Sequence, residues 1–339
     1  MRILTTRLLG SLRSPTTPTG ERSTATGFDA LNSNTTGTDN TAVGSDALSS
    51  NSTASNNTAS GYQALLSNTT GASNTATGSL ALNLNTSGSL NTAHGSAALY
   101  NNTTGIWNTA IGWGALYGNT TGNYNTADGL QSLYSNTTGN DNTASGLSAL
   151  YSNTTGDDNT ATGLNTLFSN TTGSFNTADG SAALATNTIG IWNTACGWGA
   201  LNQNSSGNNN TAAGLQALLN NTTGSNNTAG GLNALFSNTT GANNIGLGSG
   251  GGGNLTTGNN NIDIGNAGVA AESNTIRIGT VGTQTATFVA AIRGVGVAGA
   301  QPVTVSVSGQ LGVRASSARF KEAINPMVRR AKQSWISSQ

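Results

Sequence analysis

Residues 108–122 read NTAIGWGALYGNTTG, and residues 193–207 carry the same phrase as NTACGWGALNQNSSG. Both are copies of a repeat that begins Asn-Thr-Ala and recurs every 17 residues. The repeat starts at Asn40, Asn57, Asn74, Asn91, Asn108, Asn125, Asn142, Asn159, Asn176, Asn193, Asn210 and Asn227. Counting this Asn as position 1, the consensus is N-T-A-x-G-x-x-A-L-x-x-N-T-T-G-x-x.

The repeat extends beyond these copies at both ends. Ser23 begins a variant copy, and Asn244 and Asn261 continue the 17-residue register. The step from IDIG at 262–265 to IRIG at 276–279 is only 14 residues. The spacing predicts a repeat array over 23–280, preceded by a basic, disordered leader at 1–22.

The period and its residues predict an all-β fold, a parallel β-solenoid with 17-residue coils. Seventeen residues are too few for a helix pair but suit one coil of two short strands and two turns. Gly at positions 5 and 15 supplies the crowded turns. Coils that stack at the strand spacing of about 4.8 Å would build a rod of roughly 70 Å from about fifteen coils.

Identical positions should stack into columns along such a rod. Position 9 is Leu in every copy from Leu31 to Leu235, which predicts the core. Ala at position 3 predicts a narrow interior. Asn at position 12 predicts a ladder of amide hydrogen bonds.

Position 10 carries a run of aromatic residues in five successive copies. They are Tyr100, Tyr117, Tyr134, Tyr151 and Phe168. Position 10 follows the core Leu, so in an extended strand its side chain faces outward. We interpret this column as a subunit seam, because a thin Ala/Leu interior buries little apolar area on its own. The alternative is a ligand-binding stripe.

Four tryptophans form two clusters five repeats apart. Trp107 and Trp192 occupy position 17, and Trp113 and Trp198 occupy position 6. Exposed Trp serves both as a sugar-stacking platform and as an interface residue. We favour the interface.

Composition excludes several classes of function. The formal net charge is zero, and every Lys and Arg lies in 1–22 or after residue 276, so we expect no nucleic-acid partner. No apolar run is long enough for a membrane-spanning helix. His94, Asp128, Asp179 and Cys196 share position 4 but lie in different coils, so we expect no metal site, and no cofactor is indicated.

The repeats resemble the heads of YadA-like trimeric autotransporter adhesins. The similarity rests on NTAIG at 108–112, NNIGLG at 243–248, NNIDIG at 260–265 and NTIRIG at 274–279. It implies a left-handed parallel β-roll and a homotrimer of three chains side by side. The 14-residue step resembles that family's usual period, so the longer copies would hold three more residues in a turn.

Residues 285–327 resemble the junction of tail-fibre proteins that end in a peptidase S74, or chaperone-of-endosialidase, domain. In that family the domain cuts itself off before a Ser with help from a Lys. Ser316 and Lys321 match that pattern, which implies a cut at Ala315–Ser316, although Ser317 stands where the family often has Asp. The sequence continues for only 23 residues after Ser316. We therefore expect a stem at 281–315, a truncated chaperone remnant at 316–339 and no active enzyme.

Together these features predict a trimeric adhesin head or phage tail-fibre-like protein on a bacterial surface or phage tail. A host surface, glycan or matrix receptor would be its partner. The first alternative is a monomeric solenoid that binds ice or another lattice through its Thr columns. The second is a self-cleaving S74-type fibre.

Overall fold

The structure is a computed structural model that describes residues 7–9, 22–289, 303–307 and 309–313. Its described residues form short strands joined by turns, without a helix. The strands are β1 Arg7–Leu9, β2 Thr24–Thr26, β3 Thr41–Val43, β4 Thr58–Ser60, β5 Thr75–Thr77, β6 Thr92–His94, β7 Thr109–Ile111, β8 Thr126–Asp128, β9 Thr143–Ser145, β10 Thr160–Thr162, β11 Thr177–Asp179, β12 Thr194–Cys196, β13 Thr211–Ala213, β14 Thr228–Gly230, β15 Ile245–Leu247, β16 Ile262–Ile264, β17 Ile276–Ile278, β18 Val303–Val305 and β19 Leu311–Val313.

Strands β1 to β17 form one 17-stranded sheet in which consecutive strands pair in parallel. Each residue of a strand pairs with the residue 17 positions later, as in Thr109 with Thr126. The last step is shorter, because Ile262 pairs with Ile276. The predicted β-solenoid with 17-residue coils and a 14-residue final step is confirmed. Its left-handedness stays a prediction.

Each coil has one strand rather than the two that the sequence predicts. The second expected strand, around the Ala-Leu of positions 8 and 9, is a turn in which residues at positions 7 and 9 take positive φ. Leu133, for example, has a φ of 49° and Gln131 a φ of 57°. Inter-coil hydrogen bonds continue through this turn, as from Leu133 N–H to the carbonyl of Ala149 at 2.9 Å. The stack therefore imposes a backbone conformation that Leu on its own disfavours.

The core is as thin as the sequence predicts. Leu at position 9 is fully buried from Leu48 to Leu235, together with Ala at positions 3 and 8. Each buried Leu contributes roughly 2 kcal/mol. The same contribution recurs once per coil along the rod.

Two buried Asn ladders lie beside this apolar core. At position 12, each amide donates to the Oδ1 of the preceding coil, as from Asn136 to Asn119 at 2.8 Å. Position 1 forms a second ladder, which sequence analysis did not predict. There the backbone N–H of Asn142 donates to Oδ1 of Asn125 at 3.0 Å, and its side-chain amide donates to the carbonyl of Gly156 at 2.8 Å. The ladders satisfy polar groups that would otherwise be buried without partners.

Glycine at position 5 is required because adjacent coils approach closely there. Gly146 has a φ of 133°, and an added Cβ would lie 2.5 Å from the carbonyl oxygen of Gly163 in the next coil. Both the conformation and the contact exclude a side chain.

The last coil, residues 261–274, buries a carboxyl group at position 3, where the coils that begin at Ser23 to Asn227 bury Ala and the preceding coil has Gly246. Asp263 occupies position 3 and is fully buried, and within the described chain neither of its carboxylate oxygens has a hydrogen-bond partner. Burial, followed by the negative charge of Glu272, raises the pKa of Asp263 to about 6. Arg277, the β17 residue paired with Asp263, instead forms an ion pair with Glu272 at 2.7 Å.

The chain divides into two compact units, Met1–Gly279 and Thr280–Gln339. This boundary lies next to the predicted end of the array. In the second unit, β18 and β19 form an antiparallel pair. In the first, Arg7–Leu9 pairs in parallel with β2, so part of the segment expected to be a disordered leader forms a strand.

Candidate interaction surface

The position-10 ladder, Tyr100 to Phe168, is a continuous stack of aromatic rings. Neighbouring ring centroids lie 5.0–5.2 Å apart and neighbouring planes differ by 4–8°. Each ring is half-buried, because its faces cover those of its neighbours. Burial raises the pKa of Tyr134, and charge repulsion from the neighbouring phenol groups of Tyr117 and Tyr151 raises it further. The ladder therefore presents ring edges and hydroxyls rather than open faces.

A second apolar column lies at position 6, and its members are more exposed. It runs through seven of eight successive coils and is interrupted by Ser181. These seven side chains, each 44–53% exposed, are Trp113, Leu130, Leu147, Leu164, Trp198, Leu215 and Leu232. Sequence analysis selected only the two tryptophans. The five leucines recur at one position of the repeat, but the predicted second strand placed the outward-facing column at position 10 instead.

The position-6 column and the position-10 ladder flank the same turn. Position 7 lies between them, and a Cβ added to Gly114 there would lie 3.2 Å from Cε2 of Tyr134 in the next coil. The two columns thus flank the position-7 column, whose residues include Gln131, Ser148 and Asn165. We call positions 6, 7 and 10 along the middle of the rod the turn face.

This turn is also the segment that the shortened final coil lacks. Gly265 at position 5 keeps the array's pairing, since its N–H donates to the carbonyl of Leu247. The next inter-coil bonds run from the N–H of Gly252 to the carbonyl of Asn266 and from the N–H of Asn254 to the carbonyl of Ala267. The final coil therefore has three fewer residues between positions 5 and 10 than the longer coils. The three additional residues of the longer copies therefore lie in a turn, as predicted, and this turn carries the turn face.

The tryptophan clusters divide between the two ends of their strands. Trp113 and Trp198 follow β7 and β12 and belong to the turn face. Trp107 and Trp192 precede the same strands and are exposed at position 17. Each predicted cluster is thus split by the strand between its members.

The remaining candidate residues are placed as follows. His94, Asp128, Asp179 and Cys196 are all exposed in the position-4 column, separated by two, three and one coils. In the described part of the chain, no group of three His, Cys, Asp or Glu side chains could hold a metal ion. Ser316 and Lys321 lie outside the described residues. Among the residues that the structure describes, no helix is long and apolar enough to cross a membrane.

Comparisons with known proteins do not assign this chain to a family. No protein-family model matches it, and no curated protein is significantly similar.

Proposed function

We propose that this chain is an extracellular adhesive fibre, a trimeric adhesin head or tail-fibre-like protein, whose three copies pack side by side through the turn face. The observation that carries the proposal is the position-6 column. Soluble monomers rarely expose contiguous apolar patches larger than a few hundred Å². A regular column of Leu and Trp along the rod is suited to a parallel neighbour with the same coil spacing.

Trimerisation explains why an adhesive protein would use this architecture. The interior of one solenoid is built mainly from Ala, Leu and Asn, so association would bury apolar area that the single chain cannot. Three parallel rods would also triple the number of surface sites. Binding that is weak at one site becomes strong when several sites engage together.

The molecular mass of the full chain in solution tests this proposal. Light scattering should give three times the chain mass of 33.7 kDa. The variant L130S/L147S/L164S should be monomeric with an unchanged far-UV spectrum, because position 6 is already Ser in several coils, among them Ser79, Ser96 and Ser181. A monomeric wild type, or a variant that stays trimeric, would contradict the seam. On a panel of bacterial and mammalian cells, the monomeric variant should bind roughly 100-fold more weakly than the trimer.

A lattice-binding solenoid is a second candidate, favoured by the position-2 Thr column. Thr126, Thr143 and Thr160 are exposed in register on successive strands. The same strand face presents Asp128 and Asp179 at position 4, which interrupts a flat Thr lattice. An ice-recrystallisation assay separates the candidates, since the fibre should leave crystal growth unchanged. Self-cleavage at Ala315–Ser316, the alternative that the peptidase S74 resemblance implies, would be detected by mass spectrometry.

A further inference from the structure

The position-17 stripe is an exposed column at the opposite end of each strand from position 6. In six successive coils it presents two aromatic residues, two acidic residues and two aromatic residues. These are Trp107, Tyr124, Asp141, Asp158, Phe175 and Trp192. All six side chains are exposed, and the four aromatic ones are 50–56% accessible.

Every residue of the stripe has a left-handed backbone conformation. The φ angles lie between 56° and 60°, as at Trp107 (59°) and Phe175 (60°). Asn and Asp tolerate this region, whereas bulky residues there are outliers. Later coils place Asn at the same position, at Asn209, Asn226 and Asn243, with φ of 56–59°. The aromatic residues are therefore a locally costly choice.

The fold does not need aromatic side chains at these positions. The backbone N–H of Trp107 donates to the preceding coil at Ser89, and that of Asn226 makes the equivalent bond to Asn208. The stack thus fixes this conformation for either residue type. Among the described residues, Phe175 and Trp192 form the stripe's ring contact, tilted by 35° with centroids 6.0 Å apart. Bulky residues held in a sparsely populated backbone conformation at an exposed position are characteristic of functional sites.

The chemistry of the stripe indicates a sugar ligand. Aromatic faces pack against the apolar faces of sugar rings, and carboxylates accept hydrogen bonds from hydroxyl groups. Asp141 and Asp158 lie between the two aromatic pairs. The sequence has no Lys or Arg between Arg22 and Arg277, so an anionic glycan would meet only repulsion. The ligand that fits is uncharged.

The spacing of the stripe indicates an extended polymer. Successive coils repeat at about 4.8 Å, which is close to the length of one sugar ring in an extended chain. The centres of the two aromatic pairs are four coils apart, or roughly 19 Å. We propose that the position-17 stripe, from Trp107 to Trp192, binds an extended neutral polysaccharide along the rod. This inference rests on the adhesive function proposed above and names its ligand class.

Affinity electrophoresis of the full chain tests the proposal. Gels would contain hydroxyethyl cellulose, laminarin or dextran as neutral polymers and alginate as the anionic one. At least one neutral polymer should retard the wild type, and alginate should not. W107N/W192N should weaken retardation by at least about tenfold, since stacking on two large rings is lost. W107F/W192F, the matched control, should stay within a few-fold of the wild type, because Phe175 shows that the column accepts Phe.

A second readout separates a binding role from a structural one. W107N/W192N should melt at the same temperature as the wild type or higher, because Asn tolerates the left-handed conformation, and it should keep the wild-type mass. The inference would be overturned if none of the three neutral polymers retarded the wild type, or if the variant were retarded equally. Either result would leave the fibre proposal intact. A variant that dissociates would also overturn it, since position 17 would then be a subunit contact.

Discussion

The coils over residues 23–260 and the final coil over residues 261–274 share one strand pattern but bury different groups. The longer coils stack Ala, Leu and Asn in uncharged columns, and their three additional residues form the turn that carries the turn face. The final coil omits that turn and places Asp263 in the core. The comparison shows that the strands keep their pairing without this turn, whereas the turn provides both the core Leu and the apolar exterior.

The transition begins one coil earlier. Leu255 stands at position 12, where the preceding coils have Asn, so Oδ1 of Asn238 is buried without a partner in the described chain. Gly251 and Gly252 occupy the Ala and Leu positions of the core. At the end of the array, the residue types of the stacked columns are therefore replaced at one position after another, while the strands keep their register.

The largest expected difference between the regions concerns glycine at position 5. Gly146→Ala should lower the free energy of unfolding by more than about 3 kcal/mol, because its Cβ would meet the carbonyl of the next coil. Gly265→Ala, at the same position of the final coil, should cost only about 1 kcal/mol. It has a φ of 58°, and an added Cβ meets nothing within 4 Å. Urea denaturation of both variants checks this, and equal losses would show that the coils are not closely stacked at this turn.

The Asn ladder should show a smaller contrast. Asn136→Ala removes amide bonds to Asn119 and Gly139 and leaves one of the two amide hydrogens of Asn153 without an acceptor, so we expect a loss of about 3 kcal/mol. Asn238→Ala removes two such bonds but also an unpartnered oxygen, and should cost about 1 kcal/mol less. Thermal melts of the two variants measure the difference. A greater loss at Asn238 would mean that the ladder continues beyond it.

A third difference between the regions is the pH dependence of the final coil. Because the folded state raises the pKa of Asp263 from 3.8 to about 6, it binds that proton more tightly than the unfolded state. The free energy of unfolding of this coil should therefore fall by on the order of 2 kcal/mol as the pH rises from about 4 to 6, and it should stay low above pH 6. The ion pair with Arg277 lowers the pKa of Glu272, which acts in the opposite direction and only at lower pH.

Hydrogen exchange of the amides in 261–279 at pH 5 and pH 7.5 would measure this effect. Protection, corrected for intrinsic exchange, should be lower at pH 7.5 in the wild type and equal in Asp263→Ala, which restores the residue of the other coils. Equal protection in the wild type would show that the carboxylate is solvated or paired.

The sequence predicts the repeating features of the fold and fails where stacking overrides local preference. The period, the Leu core, the position-12 ladder and the placement of the three additional residues in a turn follow from spacing and residue type. The prediction of a second strand was wrong, because the stack holds Leu133 and its equivalents in a left-handed backbone conformation that residue propensities do not indicate. The exposed leucines of position 6 follow only once that turn is known. The repeat does not predict the burial of Asp263, because this burial depends on the residues that replace the stacked columns in the last coils.

Cryo-electron microscopy of the full chain, at a resolution that separates coils about 4.8 Å apart, tests the central claim most directly. We predict a rod of roughly 70 Å with three solenoids in cross-section. Leu130, Leu147 and Leu164 should face a neighbouring chain, and Trp107 and Trp192 should face solvent. A single isolated solenoid, or a trimer whose position-6 columns face solvent, would contradict it.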